Sequence, residues 1–348
     1  MRKFFDSNAL WLSMVIGALG YQWFRVLSPL LPWLIFFMLF FTFCKINPLD
    51  LRLHRWHWVV LVLQIALSLG AYAGVYLLTG NRFLAQGLML CFIMPTATAA
   101  PIIAGKLGGS IQNLTTFTLL SNFATAIIVP IVFPLVNPMA EKAFWPALTL
   151  IISHISPLLL GPFFAAWAIR AGFNAYYRKK SKITTALPID RNHKSQIINR
   201  EFSLPTKLAV IPFYLWVASI VILTAVVTET VIANYESQLA NMLILLASSF
   251  FACLIQFFLG KWVGYKLPAP SKGKDYQDVL INPAAAPKTM AGVSSITAGQ
   301  AFGQKNTSLG VWMAQTYLNP MSSIGAAAYI IWQNIFNSLQ LALAARKK

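Results

Sequence analysis

The residues best placed to do chemistry lie near the C-terminal end, in the stretch Ala301-Phe302-Gly303-Gln304-Lys305-Asn306-Thr307-Ser308. Two amides, two hydroxyls and one formal positive charge fall there inside a long apolar region. A charged side chain at membrane depth costs roughly 2.5–3.5 kcal/mol on insertion scales, so it is read first as functional. Lys305 could hold an anion, stand in for a bound cation or serve as a proton-linked switch. The plain alternative is a lysine that snorkels to the headgroups. Gly299, Gly303 and Gly310 flank the stretch and predict a backbone that leaves regular helix cheaply.

The elements that must position these residues follow from composition. Of 348 residues, 57% are hydrophobic and 10% charged. Soluble domains carry about 25% charged residues, so the chain reads as an integral membrane protein. Apolar runs recur along the length without strict alternation, which predicts a helical bundle and excludes barrel strands. The net charge of +18 does not mark a nucleic-acid partner, because the basic residues sit between apolar runs. Cys44, Cys91 and Cys253 lack paired spacing and imply neither a disulfide framework nor a metal site.

Ten membrane spans are expected, at about 8–27, 29–45, 55–80, 83–108, 112–137, 144–171, 207–229, 238–266, 288–314 and 318–344. Thr79-Gly80-Asn81 is a tight-turn signal between the third and fourth. Basic residues concentrate in the 45–55, 172–206 and 261–288 loops and at both ends of the chain. That asymmetry places both termini in the cytoplasm, with the protein in the plasma or inner membrane. The whole chain, 1–348, is expected to form one membrane domain, its halves being 8–137 and 144–344.

Two spans break the apolar helix pattern, each the fourth in a set of five. The fourth contains Met94-Pro95-Thr96-Ala97-Thr98-Ala99-Ala100-Pro101, and its prolines remove backbone donors. The ninth contains the stretch around Lys305. Interrupted segments at matching positions of two inverted halves point to a transporter's binding site. Unwound backbone must face protein or a water-filled cavity, and half-helix ends offer partial charges to a ligand.

On these residues the chain resembles the bile acid:sodium symporter family. That family has ten helices in two inverted five-helix repeats, with discontinuous helices four and nine crossing near mid-membrane. Its Pro-Gly-Gly-Thr-Ala-Ser-Asn motif is matched here by Pro95 to Pro101, and its Glu-Val-Gly-Met-Gln-Asn-Ser motif by Ala301 to Thr307. Its Trp-His-Asn is matched by Trp332-Gln333-Asn334. The resemblance implies secondary transport of a small or amphipathic organic anion by alternating access, with Thr98, Asn306, Thr307, Gln333 and Asn334 as substrate contacts. It also implies Na⁺ as cofactor. The implied ion-site positions, however, are held by Ala100, Pro101, Ala301 and Lys305, with Gln304 beside them and only Thr118 and Gln64 retaining a polar group. A hard cation wants several oxygen ligands, usually with at least one anionic one, so family-type Na⁺ binding is expected to be lost or severely weakened.

His154 reads as a satisfied helix histidine, and His54 with His57 as interfacial. An intramembrane enzyme would need a zinc helix, an aspartate pair or an acidic Mg²⁺ cluster, and none occurs. An anion channel or a membrane receptor is the alternative to a transporter.

Overall fold

A computed structural model of the chain describes residues 2–44, 51–137, 144–186, 208–269 and 286–346. α1 (Arg2–Leu19) and the single turn α2 (Tyr21–Phe24) lead through a 3-10 segment (Arg25–Leu30) into α3 (Leu31–Phe43). α4 (Arg55–Thr79) stops at Gly80, whose φ of 64° is a left-handed cap. Asn81 then caps α5 (Arg82–Ile93) by accepting the Leu84 N–H at 3.3 Å, so the turn falls where its residues predict it. The rest comprises α6 (Ala100–Lys106), α7 (Ile111–Val136), α8 (Phe144–Ala186), α9 (Ile211–Lys266), α10 (Ala286–Gly303), α11 (Thr307–Tyr317) and α12 (Ser323–Ala345). Among the described residues the sole extended pairing is an antiparallel bridge between Thr96 and Lys305.

Among the described residues, five segments are long and apolar enough to cross a membrane: Tyr21–Phe43, Arg55–Thr79, Ile111–Val136, Phe144–Phe173 and Ile211–Lys266. Large apolar side chains such as Leu77, Leu78, Val62 and Phe258 face outward, as a lipid-solvated surface requires. The protein is an all-α integral membrane protein.

Three expected boundaries shift. The first span is not one helix over 8–27, because the chain breaks at Gly20 and tightens into the 3-10 segment that contains Pro29. α8 runs on to Ala186, so residues 172–186 are helix where a basic loop was expected; 187–206 lie outside the described residues. The seventh and eighth spans share one helical hydrogen-bonding pattern from Ile211 to Lys266, with no irregular loop at 230–237. A straight helix would separate residues 220 and 246 by about 39 Å. Yet Ile220 packs on Ile330, and the Leu246 carbonyl accepts the Trp332 indole N–H at 3.0 Å. Two positions that both meet Ile330–Trp332 cannot lie that far apart, so α9 folds back between them.

The core is divided around the break between α5 and α6. One cluster joins α3, α5, α7, α8 and α11 through Leu39, Met89, Ile93, Val129, Ile155 and Leu309. A second joins the other face of α5 to both legs of α9 and to α12, through Cys91, Leu223, Cys253 and Tyr329. A third holds Trp56, Ala104, Phe117, Val263 and Phe302 together. α9 approaches α10 closely because Gly260 and Gly264 lack side chains: a Cβ on Gly260 would lie 2.5 Å from the Ala298 carbonyl oxygen.

Candidate functional site

α5 ends at Met94, whose ψ of 136° turns the chain into an extended path ahead of Pro95. Proline has no N–H to continue the helix, so the break is written locally. α10 ends at Gly303 and helix resumes at Thr307. The two breaks pair with each other. Ala97 N–H donates to the Gln304 carbonyl at 2.9 Å, and Asn306 N–H donates to the Pro95 carbonyl at 2.7 Å. The Thr96 hydroxyl donates to the Ala301 carbonyl at 2.7 Å, and Thr96 N–H donates to Ser121 Oγ at 3.2 Å. Unwound backbone that would be costly in lipid is thereby satisfied within the protein.

The flanking glycines play a different part from the one expected. Among the described residues only Gly80 and Gly108 have positive φ, so neither break uses glycine for backbone freedom. They supply room. Gly303 lies under the Phe257 ring and Gly310 under the Met94 side chain, where any Cβ would collide.

An ended helix leaves its last carbonyls without backbone partners. At the end of α5 each is met by a side chain from elsewhere. Gln256 Nε2 donates to the Cys91 carbonyl at 3.0 Å, and Lys305 Nζ to that of Phe92 at 2.9 Å. Gln64 Nε2 donates to Ile93 at 3.1 Å and Met94 at 3.2 Å, while its Oε1 accepts the Ser121 hydroxyl at 3.3 Å. At the end of α10, Tyr329 Oη–H donates to the Gly303 carbonyl at 2.8 Å. Lys305 is 1% exposed, and its ammonium also lies 5.0 Å from the centre of the Phe302 ring. It does not snorkel.

The other side of the crossing opens into a cavity of about 820 Å³. Its polar wall includes Thr98, Ser110, Thr115, Thr118, Asn306, Thr307, Ser308, Gln333, Asn334 and Asn337. Its apolar wall includes Met38, Ile102, Phe213, Trp216, Ile220 and Ile330. Among the described residues that line it there is no carboxylate, and Lys305 is the one with a formal charge. Asn306 Oδ1 caps α11 by accepting the Leu309 N–H at 3.2 Å, while Asn306 Nδ2 is buried without a partner. The cavity reaches Leu51, Gly109–Gln112 and Pro212, at the end of the bundle where α4, α7 and α9 begin.

At the opposite end a polar knot ties the described helix ends together. Gln86 Nε2 donates to the Val136 carbonyl at 3.1 Å, and Gln86 Oε1 accepts the Asn319 N–H at 3.2 Å. Tyr72 Oη–H also reaches the Val136 carbonyl, at 3.1 Å, and Asn137 Nδ2 reaches that of Tyr317, at 3.0 Å.

All five residues expected to contact substrate, Thr98, Asn306, Thr307, Gln333 and Asn334, line the cavity. Gln333 Oε1 accepts the Lys305 N–H at 2.9 Å, and Asn334 Nδ2 donates to Ile330 of its own helix at 2.7 Å. The ion-site positions scatter. Pro101, Thr118, Gln304 and Lys305 reach the cavity, whereas Gln64, Ala100 and Ala301 lie buried behind it. Ala100, Pro101 and Ala301 offer no side-chain oxygen, the Thr118 hydroxyl donates to Leu114 of its own helix at 3.0 Å, and the Ala301 carbonyl is taken by Thr96. Among the described residues no group of acidic, histidine or cysteine side chains could hold a metal ion. This donor set does not fit Na⁺.

His154 Nδ1 meets the Leu150 carbonyl of its own helix at 2.9 Å, on an exposed face. His57, in the first turn of α4, is fully buried within the protein, with Nε2 3.0 Å from the Asn113 carbonyl. Sequence reasoning missed Gln256, Ser121, Tyr329 and Gln86. Their one signal is a lone amide or hydroxyl inside an apolar run, where lipid offers it no partner. No protein-family model matches the sequence, and no curated protein matches it.

Proposed function

We propose that this chain is a secondary transporter of small or amphipathic organic anions, working by alternating access. Ten membrane crossings form two inverted halves, 8–137 and 144–344, with both termini on the cytoplasmic side of the plasma or inner membrane. The observation that carries this reading is the mutual pairing of the two breaks at the floor of a cavity that reaches toward one end, with the helices tied by a polar knot at the other. Irregular backbone at membrane depth occurs where it lines a ligand path, and two crossing interruptions make one site from both halves.

The cavity chemistry narrows the cargo. A polar wall facing an apolar wall suits an amphipathic molecule. The N-terminal end of α11, which the cavity meets at Asn306, Thr307 and Ser308, favours negative charge, and no carboxylate opposes it among the described lining residues. The open end is the cytoplasmic one in this orientation, so the conformation is inward-facing. The lipid bilayer is the solvent partner; nothing in the site suits nucleic acid.

Uptake by proteoliposomes, measured over a panel of organic carboxylates and sulfonates, tests the proposal. Saturable flux with accelerated exchange from preloaded vesicles is expected. Flux without saturation would support a channel, and binding without flux a receptor.

A further inference from the structure

We infer that the Lys305 ammonium is a tethered, protein-supplied cation at the crossing, so that anion binding and flux need no co-bound metal ion. This inference rests on the transport reading and specifies how its site is charged.

Two helix C-termini converge here. α5 ends at Ile93 and α10 at Gly303, and their paired breaks hold them together. Each C-terminus carries a partial charge of roughly −0.5. Two such ends amount to about one negative charge, set in a region from which lipid and protein exclude water. The side chains that satisfy the neighbouring carbonyls are all neutral: Gln256 at Cys91, Gln64 at Ile93 and Met94, Thr96 at Ala301, Tyr329 at Gly303. Lys305, at Phe92, is the exception. As a hydrogen bonder it does nothing that the adjacent glutamines do not do. Charge is what sets it apart.

Among the described side chains the charge has no acidic partner: Glu229 pairs with Arg25, and Glu236 accepts the Tyr235 hydroxyl at 3.0 Å. Burying an ammonium is costly, and the compensation available to Lys305 is the Phe92 carbonyl, the face of the Phe302 ring and the two helix ends. A metal ion entering the same space would meet a fixed positive charge within a few ångströms and no anionic ligand. Lys305 therefore fills the electrostatic vacancy that two inward-pointing C-termini create. Its positive charge is felt at the cavity, which its own backbone lines, and there it adds to the pull on an anion.

The decisive experiment removes the tether and returns the cation. Lys305→Ala leaves the two C-termini without their charge and frees the space for a small cation. Its unfolding midpoint in detergent should fall, and methylammonium should raise it again by roughly 2–5 °C. The same salt, or Na⁺ replacing choline, should leave the wild-type midpoint unchanged. Lys305→Gln, which keeps a donor of similar length, guards against a variant that does not fold. It should remain folded, carry anions at least tenfold more slowly, and regain rate with added methylammonium or Na⁺. Wild-type flux should be equal in Na⁺ and choline media. A wild-type midpoint or flux that depends on Na⁺ would overturn the inference, as would a Lys305→Gln protein of wild-type rate with no response to cations. Absence of flux for every anion would defeat the transport reading alone, because the melting of Lys305→Ala still decides the question of charge.

Discussion

The two sides of the crossing are built on opposite rules. On the side where α5 and α10 end, the freed carbonyls of residues 91 to 94, 301 and 303 each have a named donor. On the side where α11 begins, Asn306 Nδ2 has no partner, and the helix end opens on an 820 Å³ cavity. Carbonyls that each meet a donor hold the first side in place, although Gln256 Oε1 there is itself buried without a partner, whereas a helix end that opens on a cavity can take a ligand. The same break in a helix thus yields a hinge-pin on one face and a binding surface on the other. Which outcome follows depends on whether neighbouring spans send side chains to that face.

The sharpest way to break the saturated side is Gln64→Leu. It strips the donors from the Ile93 and Met94 carbonyls and the acceptor from Ser121 in one substitution of similar size. Each buried group left unpaired costs about 1–3 kcal/mol. A loss of about 2–4 kcal/mol is expected, measured by tryptophan fluorescence during denaturant unfolding in detergent. A stability change within about 0.5 kcal/mol would show that this side is not the rigid one.

A smaller loss should follow from crowding the contact between the halves. Gly310 lies under the Met94 side chain, so Gly310→Val must displace it. Overpacking of this kind costs about 1–3 kcal/mol. Met94→Ala alone would also destabilise, by leaving a void, but in combination it should recover part of the Gly310→Val loss. Additivity of the two changes in a double-mutant cycle would disprove the contact.

The broken spans were legible because their cause is local. Pro95 lacks a donor wherever it falls, and a buried lysine in an apolar run is visible in the string itself. Cavity residues such as Thr98, Asn306 and Asn334 were reached through the motif resemblance, and the cavity does gather them. What could not be read was which polar group meets which. Gln64 looked like a ligand position and proves to be a buried peg for the α5 end. Gln256 gave no signal beyond being one amide among apolar residues, because its partner is 165 residues away in sequence. The glycines were read through backbone freedom, the usual cause in isolation, whereas here the neighbours Phe257 and Met94 decide. The turn in α9 was missed as continuous helix because the loop signals around Glu229 and Glu236 mark where a chain bends, not whether its hydrogen bonding lapses there.

On the open side, the comparison is sharpened by Asn306→Asp. The new carboxylate keeps an oxygen in position to accept the Leu309 N–H, and acidic residues are as good as asparagine at this cap. Stability should therefore stay within about 0.5 kcal/mol of wild type, unlike the response to Gln64→Leu. What disappears is the buried, unpartnered Nδ2 donor, and what arrives is a negative charge on a residue of the cavity wall. Both changes act against an anion. Affinity for a transported carboxylate, measured by isothermal titration or by competition for uptake, should fall at least tenfold, or about 1.4 kcal/mol. A neutral ligand of the same shape should lose far less, because it suffers the missing donor without the repulsion. Equal losses for the two ligands would mean that Asn306 shapes the cavity without setting its charge preference, and the division between a saturated side and a receptive side would then rest on packing alone.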